Sequence, residues 1–100
     1  MNVTALNNFG ELHVSVKLLL TLISMSAPDG AINTSKSDLA RYLKTTRQTV
    51  GAHIADFAKS GILKFKYSGM ARLNPDFYYN GEASERARAL EEYKHFKSDV

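Results

Sequence analysis

Arg47, Gln48 and Thr49 stand side by side, and Gly51 and Ala52 follow within the same run, RQTVGAHIADF, residues 47–57. Arginine offers a planar fork of donors that matches guanine O6 and N7. Glutamine carries the donor and acceptor that match adenine N6 and N7. The spacing is helical, because Val50, Ile54 and Phe57 recur at i, i+4 and i+7. With Val50 central on the inward side, a step of about 100° per residue points Gln48 and Ala52 away from the core, with Thr49 and Gly51 beside them. A glycine inside a helix costs roughly 1 kcal/mol against alanine, so the small pair asks for a reason. Bulky side chains at 51 and 52 would hold the helix axis off the base edges of a duplex, whereas Gly51 and Ala52 let it sink, and Ala52 can meet a thymine methyl. The competing reasons are a close helix–helix packing point and neutral drift.

Other residues extend this chemistry. Ser35 and Lys36 open the preceding helix, where free backbone amides and a cation suit phosphate. Thr45 and Thr46 lead into the Arg47 helix. His53, at the edge of its buried side, either donates to phosphate or is a structural histidine. Lys64, Lys66 and Arg72 fall in a hairpin pattern that is expected to grip phosphate, each contact adding to the salt dependence of binding. Their plain alternative is a hairpin kept soluble by charge. Asp56 faces outward near the same surface and marks the limit of contact or pairs with a lysine.

The charge distribution agrees. Residues 36–72 hold eight Lys/Arg against Asp38 and Asp56, whereas residues 1–35 and 73–100 are each slightly acidic. A basic centre between acidic flanks suits a polyanion. Catalytic and metal chemistry lack their signatures. His13, His53 and His95 lie in three different elements without ligand spacing, and the chain has no cysteine, no glycine-rich phosphate loop and no G-x-S-x-G turn. No enzyme activity and no cofactor or metal are expected. The cysteine-free composition fits a reducing, cytoplasmic setting, and no apolar run approaches the roughly 18 residues of a membrane span.

The elements that must position these residues can be read in order. Residues 1–10 are polar and are expected to form a loose arm. Residues 12–25 read as a helix with Val16, Leu19, Leu20 and Ile23 as its buried stripe, widened by Leu18 and Leu22. Pro28 and Asp29-Gly30 force a turn, and Ala31–Thr34 is a short extended stretch. Ser35-x-x-Asp38 is a helix-start signal for 36–43. Lys44-Thr45 is a tight turn, Thr46 caps the helix 47–59, and Ser60-Gly61 ends it. Lys64 and Lys66 alternate with Phe65 and Tyr67 in a strand, Ser68-Gly69 is expected as a two-residue turn, and Met70–Leu73 returns. Residues 82–97 read as a last helix with Ala83, Ala87, Leu90 and Tyr93 along one face.

Helix, short turn, helix, glycine and basic hairpin is the order of a winged helix-turn-helix, and the segment SDLARYLKTTRQTVGAHIADFAKSGIL resembles the core of that family. The stretch RLNPDFYYNG, Arg72–Gly81, is similar to the asparagine-proline-x-aromatic element after the wing in RepL-like firmicute plasmid replication proteins and related phage or plasmid winged-helix proteins. The likeness covers about residues 30–82. It implies an α+β, mainly α fold: a three-helix core with a hairpin wing over residues 11–81, and an additional C-terminal amphipathic helix over 82–100. It also implies sequence-specific binding of double-stranded DNA through a recognition helix at 46–60 and a basic wing at 63–73. Two roles stay open, a transcriptional regulator or repressor and a replication or maintenance factor. A winged-helix protein-interaction module is the alternative. The first and last helices serve either to pack within the chain or to join two copies as a homodimer.

Overall fold

The computed structural model describes residues 13–100; the expected arm at 1–10 and the first residues of the expected domain and helix, 11 and 12, lie outside them. The order is α1 (Val14–Met25), β1 (Ala31–Asn33), α2 (Lys36–Leu43), α3 (Arg47–Lys59), β2 (Leu63–Lys66), β3 (Met70–Leu73) and α4 (Arg86–His95), the last preceded by a 3-10 turn at Ala83–Glu85. It is a predominantly helical winged-helix bundle with a small open sheet.

Local chemistry sets the ends of the central pair. The Ser35 hydroxyl accepts from the Asp38 amide at 3.1 Å, and the Thr46 hydroxyl accepts from the Thr49 amide at 3.1 Å. Each satisfies one amide that the first helical turn leaves without a partner. Lys44 closes α2 in the left-handed region at φ 55°, so the chain reverses within Lys44-Thr45. Past α3, Gly61 takes φ 79°, where glycine alone is unstrained.

The sheet is antiparallel with order β1-β3-β2. Lys66 pairs with Met70, so the hairpin loop spans Tyr67, Ser68 and Gly69. This replaces the two-residue turn expected from Ser68-Gly69. The Gly69 amide donates to the Lys66 carbonyl at 3.1 Å, and Gly69 takes φ 105°, in keeping with three-residue hairpins that end on a left-handed residue. One sheet face carries Ile32, Leu63, Phe65, Ala71 and Leu73. These join Leu18, Leu22, Leu39, Ala40, Leu43, Val50 and Ile54 in the core.

The first helix buries only part of the stripe its spacing suggested: Leu18, Leu22 and Ile23 face the core, and Val16 and Leu20 do not. Leu18 and Leu22 are fully buried and Thr21 nearly so, whereas Val16 and Leu20 are each 44% exposed. The two sets lie about half a turn apart. Eight apolar residues surround this helix, so periodicity could not choose between sides. Thr21 is tolerated inside because its hydroxyl donates to the Lys17 carbonyl at 2.7 Å.

The last helix is shorter than the expected 82–97. The backbone leaves the helix at Phe96, and its buried residues are Ala89 and Tyr93; Ala83 and Ala87 are exposed. It covers the outer face of the sheet, and the residues beyond it lie along the free edge of β2. The Asp99 amide donates to the Phe65 carbonyl at 2.7 Å and the Phe65 amide to the Ser98 hydroxyl at 3.0 Å. The Tyr67 amide donates to the Asp99 carboxylate at 2.9 Å.

Candidate nucleic-acid interface

The outward side of α3 is open. Val50 and Ile54 are fully buried, Phe57 packs against the core, Thr49 and Gly51 are half-buried, and Arg47, Gln48 and Ala52 are exposed. Thr49 is oriented by the cap, because the Thr46 hydroxyl donates to its hydroxyl at 2.8 Å. No backbone crowds Gly51. The nearest atoms a methyl there would meet are those of the Lys36 side chain, its Nζ at 3.4 Å. At Gly51, therefore, the nearest neighbour is a flexible side chain and not the backbone of a crossing helix.

Ser35 and Lys36 are half-buried at the start of α2, and Thr45 sits half-buried in the turn with its amide donating to the Ala40 carbonyl at 2.9 Å. Thr46 and the first turn of α3 follow Thr45 directly in the chain. Lys44 is exposed beside Thr45 and adds a cation there. His53 lies on the opposite flank of α3, where its ring meets the His13 ring edge-on, 5.6 Å between centroids. That contact ties α3 to the start of α1. Asp56 is exposed.

The three hairpin cations occupy a different place from the expected one. Strand alternation puts Lys64, Lys66 and Arg72 on the sheet face away from the core, and α4 covers that face. The Lys64 ammonium donates to the Tyr93 carbonyl at 2.8 Å and the Lys94 carbonyl at 3.3 Å, closing the carbonyl end of α4. It also lies over the Tyr93 ring, at 4.6 Å. The Lys66 ammonium rests 4.6 Å from the Phe96 ring centroid. Arg72 donates to Glu92 at 3.0 Å and approaches Asp29 at 3.8 Å. Within the chain, Lys64 and Arg72 are thus engaged with the last helix, and Lys66 lies over the Phe96 ring with no carboxylate partner among the described residues. Burial beneath this layer also raises the Tyr93 phenol above its ordinary pKa.

Two residues gain roles that spacing alone did not assign. Tyr67, read as a strand residue beside Phe65, is in the hairpin loop and 62% exposed. Asn74 organises the stretch that follows β3. Its side chain donates to the Gly61 carbonyl at 2.9 Å, linking the end of α3 to the sheet, and accepts from the Asp76 amide at 2.9 Å. Its carbonyl accepts from the amides of Phe77 and Tyr78. Tyr78 packs against the core, and Phe77 stays exposed. The Asn-Pro-aromatic element thus anchors the exit of the wing.

Among the described residues no cluster of three or more His, Asp or Glu side chains could hold a metal ion, and no helix is long and apolar enough to cross a membrane. No curated protein and no solved structure matches the chain. The family comparison does: the model of the Firmicute plasmid replication protein (RepL) family matches residues 13–100, so the chain belongs to that family, whose members replicate or maintain plasmids and are not catalytic enzymes.

Proposed function

We propose that this protein binds double-stranded DNA sequence-specifically, with α3 in the major groove, and that it does so in the replication region of its plasmid. The observation that carries the reading is the division of α3 into a fully buried side at Val50 and Ile54 and an exposed side at Arg47, Gln48 and Ala52. The inner side fixes the helix to the bundle. The outer side offers two base-reading side chains next to the two smallest residues. Ser35, Lys36, Thr45, Thr46, Thr49 and Gly51 border this surface and set its register on the phosphate backbone. Lys64 and Arg72 serve the fold through α4, and His53 serves the junction with α1.

The cations beside the outer side of α3 are Lys36, Lys44 and Arg47. Three neutralised phosphates correspond to a slope of about −3 in log affinity against log salt per bound chain. Membership of a plasmid replication family favours an origin over an operator. Steric occupation or marking of a site needs no catalytic group, so either role uses the same surface.

The deciding experiment is selection of bound duplexes from a random pool with the full chain, followed by binding at several salt concentrations. An enriched sequence with a steep salt slope supports the reading, and tandem direct repeats place the site in an origin. Recovery of no duplex, or affinity indifferent to salt, refutes it and leaves the protein-docking alternative.

A homodimer would join through α1. Val16 and Leu20 form an exposed apolar strip there. The buried side of α4 lies against the sheet, and its exposed positions carry Arg88, Glu91 and Lys94. A palindromic selected site would accompany such a pair.

A further inference from the structure

Lys36 lies between α3 and the hairpin, and no carboxylate pairs with it among the described residues. Its ammonium sits 4.5 Å from the centroid of the Tyr67 ring and 3.4 Å from where a Cβ of residue 51 would be. An aromatic face attracts a cation without neutralising it. The charge is therefore held in place but still available. The Tyr67 hydroxyl has no protein partner among the described residues, and the side chain is 62% exposed.

Three ties hold this pair together. The Tyr67 amide donates to Asp99 at 2.9 Å, which fixes the loop from the C-terminal side. The Thr34 amide donates to the Gly69 carbonyl at 3.0 Å, joining the loop to the strand that leads into Lys36. Gly51 leaves the lane along α3 in which the Lys36 side chain runs.

We propose that Lys36 and Tyr67 form a phosphate clamp, which grips a backbone phosphodiester of one DNA strand in the gap between α3 and the hairpin. The ammonium and the phenol hydroxyl both donate to the phosphate oxygens, and the ring aims the ammonium. Tyr67 thus brings a backbone contact from the hairpin loop to the surface of α3. The proposal rests on the DNA-binding reading above.

The test compares Lys36→Met, Tyr67→Phe and Tyr67→Ala by fluorescence anisotropy, on the selected duplex and on random duplex at several salt concentrations. Lys36→Met keeps the length of the side chain over the ring and removes its charge. It should weaken both duplexes about tenfold and flatten the salt slope by about one. Tyr67→Phe should lose less than Tyr67→Ala, and neither should change specificity, because a phosphate contact carries no sequence information. The double variant Lys36→Met with Tyr67→Ala should lose less than the product of the single losses, since the two groups share one ligand. Circular dichroism melts confirm that each variant is folded. Wild-type binding with unchanged affinity and slope in Lys36→Met overturns the clamp alone. Failure of the wild type to bind any duplex overturns the DNA-binding reading first.

Discussion

Replacing Gly51 separates a glycine kept for folding from one kept for a surface. Alanine is favoured over glycine in a helix interior by roughly 1 kcal/mol. The structure sets little against that gain. The new methyl would meet the Lys36 side chain at 3.4–3.7 Å, and its nearest atom is the mobile end of that chain rather than backbone. Gly51→Ala should therefore stabilise the protein, and about 1 kcal/mol in a domain of this size raises Tm by roughly 4–8 °C. Gly51→Leu keeps most of the propensity gain, but its side chain fills the lane of Lys36 and stands toward the groove. Losing one good contact to a base or phosphate lowers affinity about tenfold or more. Thermal melts at 222 nm and anisotropy titrations on the selected duplex measure both effects. The expected pattern is a higher Tm for both variants, with affinity falling little for alanine and strongly for leucine. A lower Tm for Gly51→Ala would show that the site is tightly packed and the glycine structural. Unchanged affinity for Gly51→Leu would remove the account of the small pair.

Three further outcomes are expected. Thr46→Ala removes the cap of α3 and the orienting bond to Thr49, and should cost about 1 kcal/mol by denaturant titration. The Tyr93 phenol is raised by burial, so the folded state holds its proton more tightly than the unfolded chain. Its contribution is complete below the unfolded value of about 10 and falls as pH rises above it. Tyr93→Phe should accordingly lose less stability than wild type between neutral pH and about pH 11. Val16→Asp with Leu20→Asp, on the exposed strip of α1, should leave the melt within about 0.5 kcal/mol of wild type and abolish any dimer seen by light scattering.

The central pair of helices was legible because its signals are local. Ser35 and Thr46 each meet an amide three residues on, so a four-residue window contains the whole interaction. The outward direction of Gln48 and Ala52 was legible for a similar reason, since Val50 and Ile54 leave one choice of inner side. The first helix offered no such constraint, and its orientation turned on Thr21, whose hydroxyl finds an acceptor within its own helix. The hairpin cations show where spacing stops being informative. Alternation correctly separated Lys64 and Lys66 from Phe65, but what covers the second face is a layer contributed some thirty residues later. Tyr67 continues the apolar alternation, and only the three-residue loop removes it from the strand.

The polar clasp that Ser98 and Asp99 place on β2 also governs how molecules of this protein behave toward one another. A bare strand margin is a template on which a second chain can add, and short sheets extended in this way grow into insoluble fibres. Here two side chains and one amide occupy that margin beside Phe65 and Tyr67. Preparations trimmed ahead of Ser98 would expose it, and their shelf life in concentrated solution would shorten before any loss of helix content could be measured.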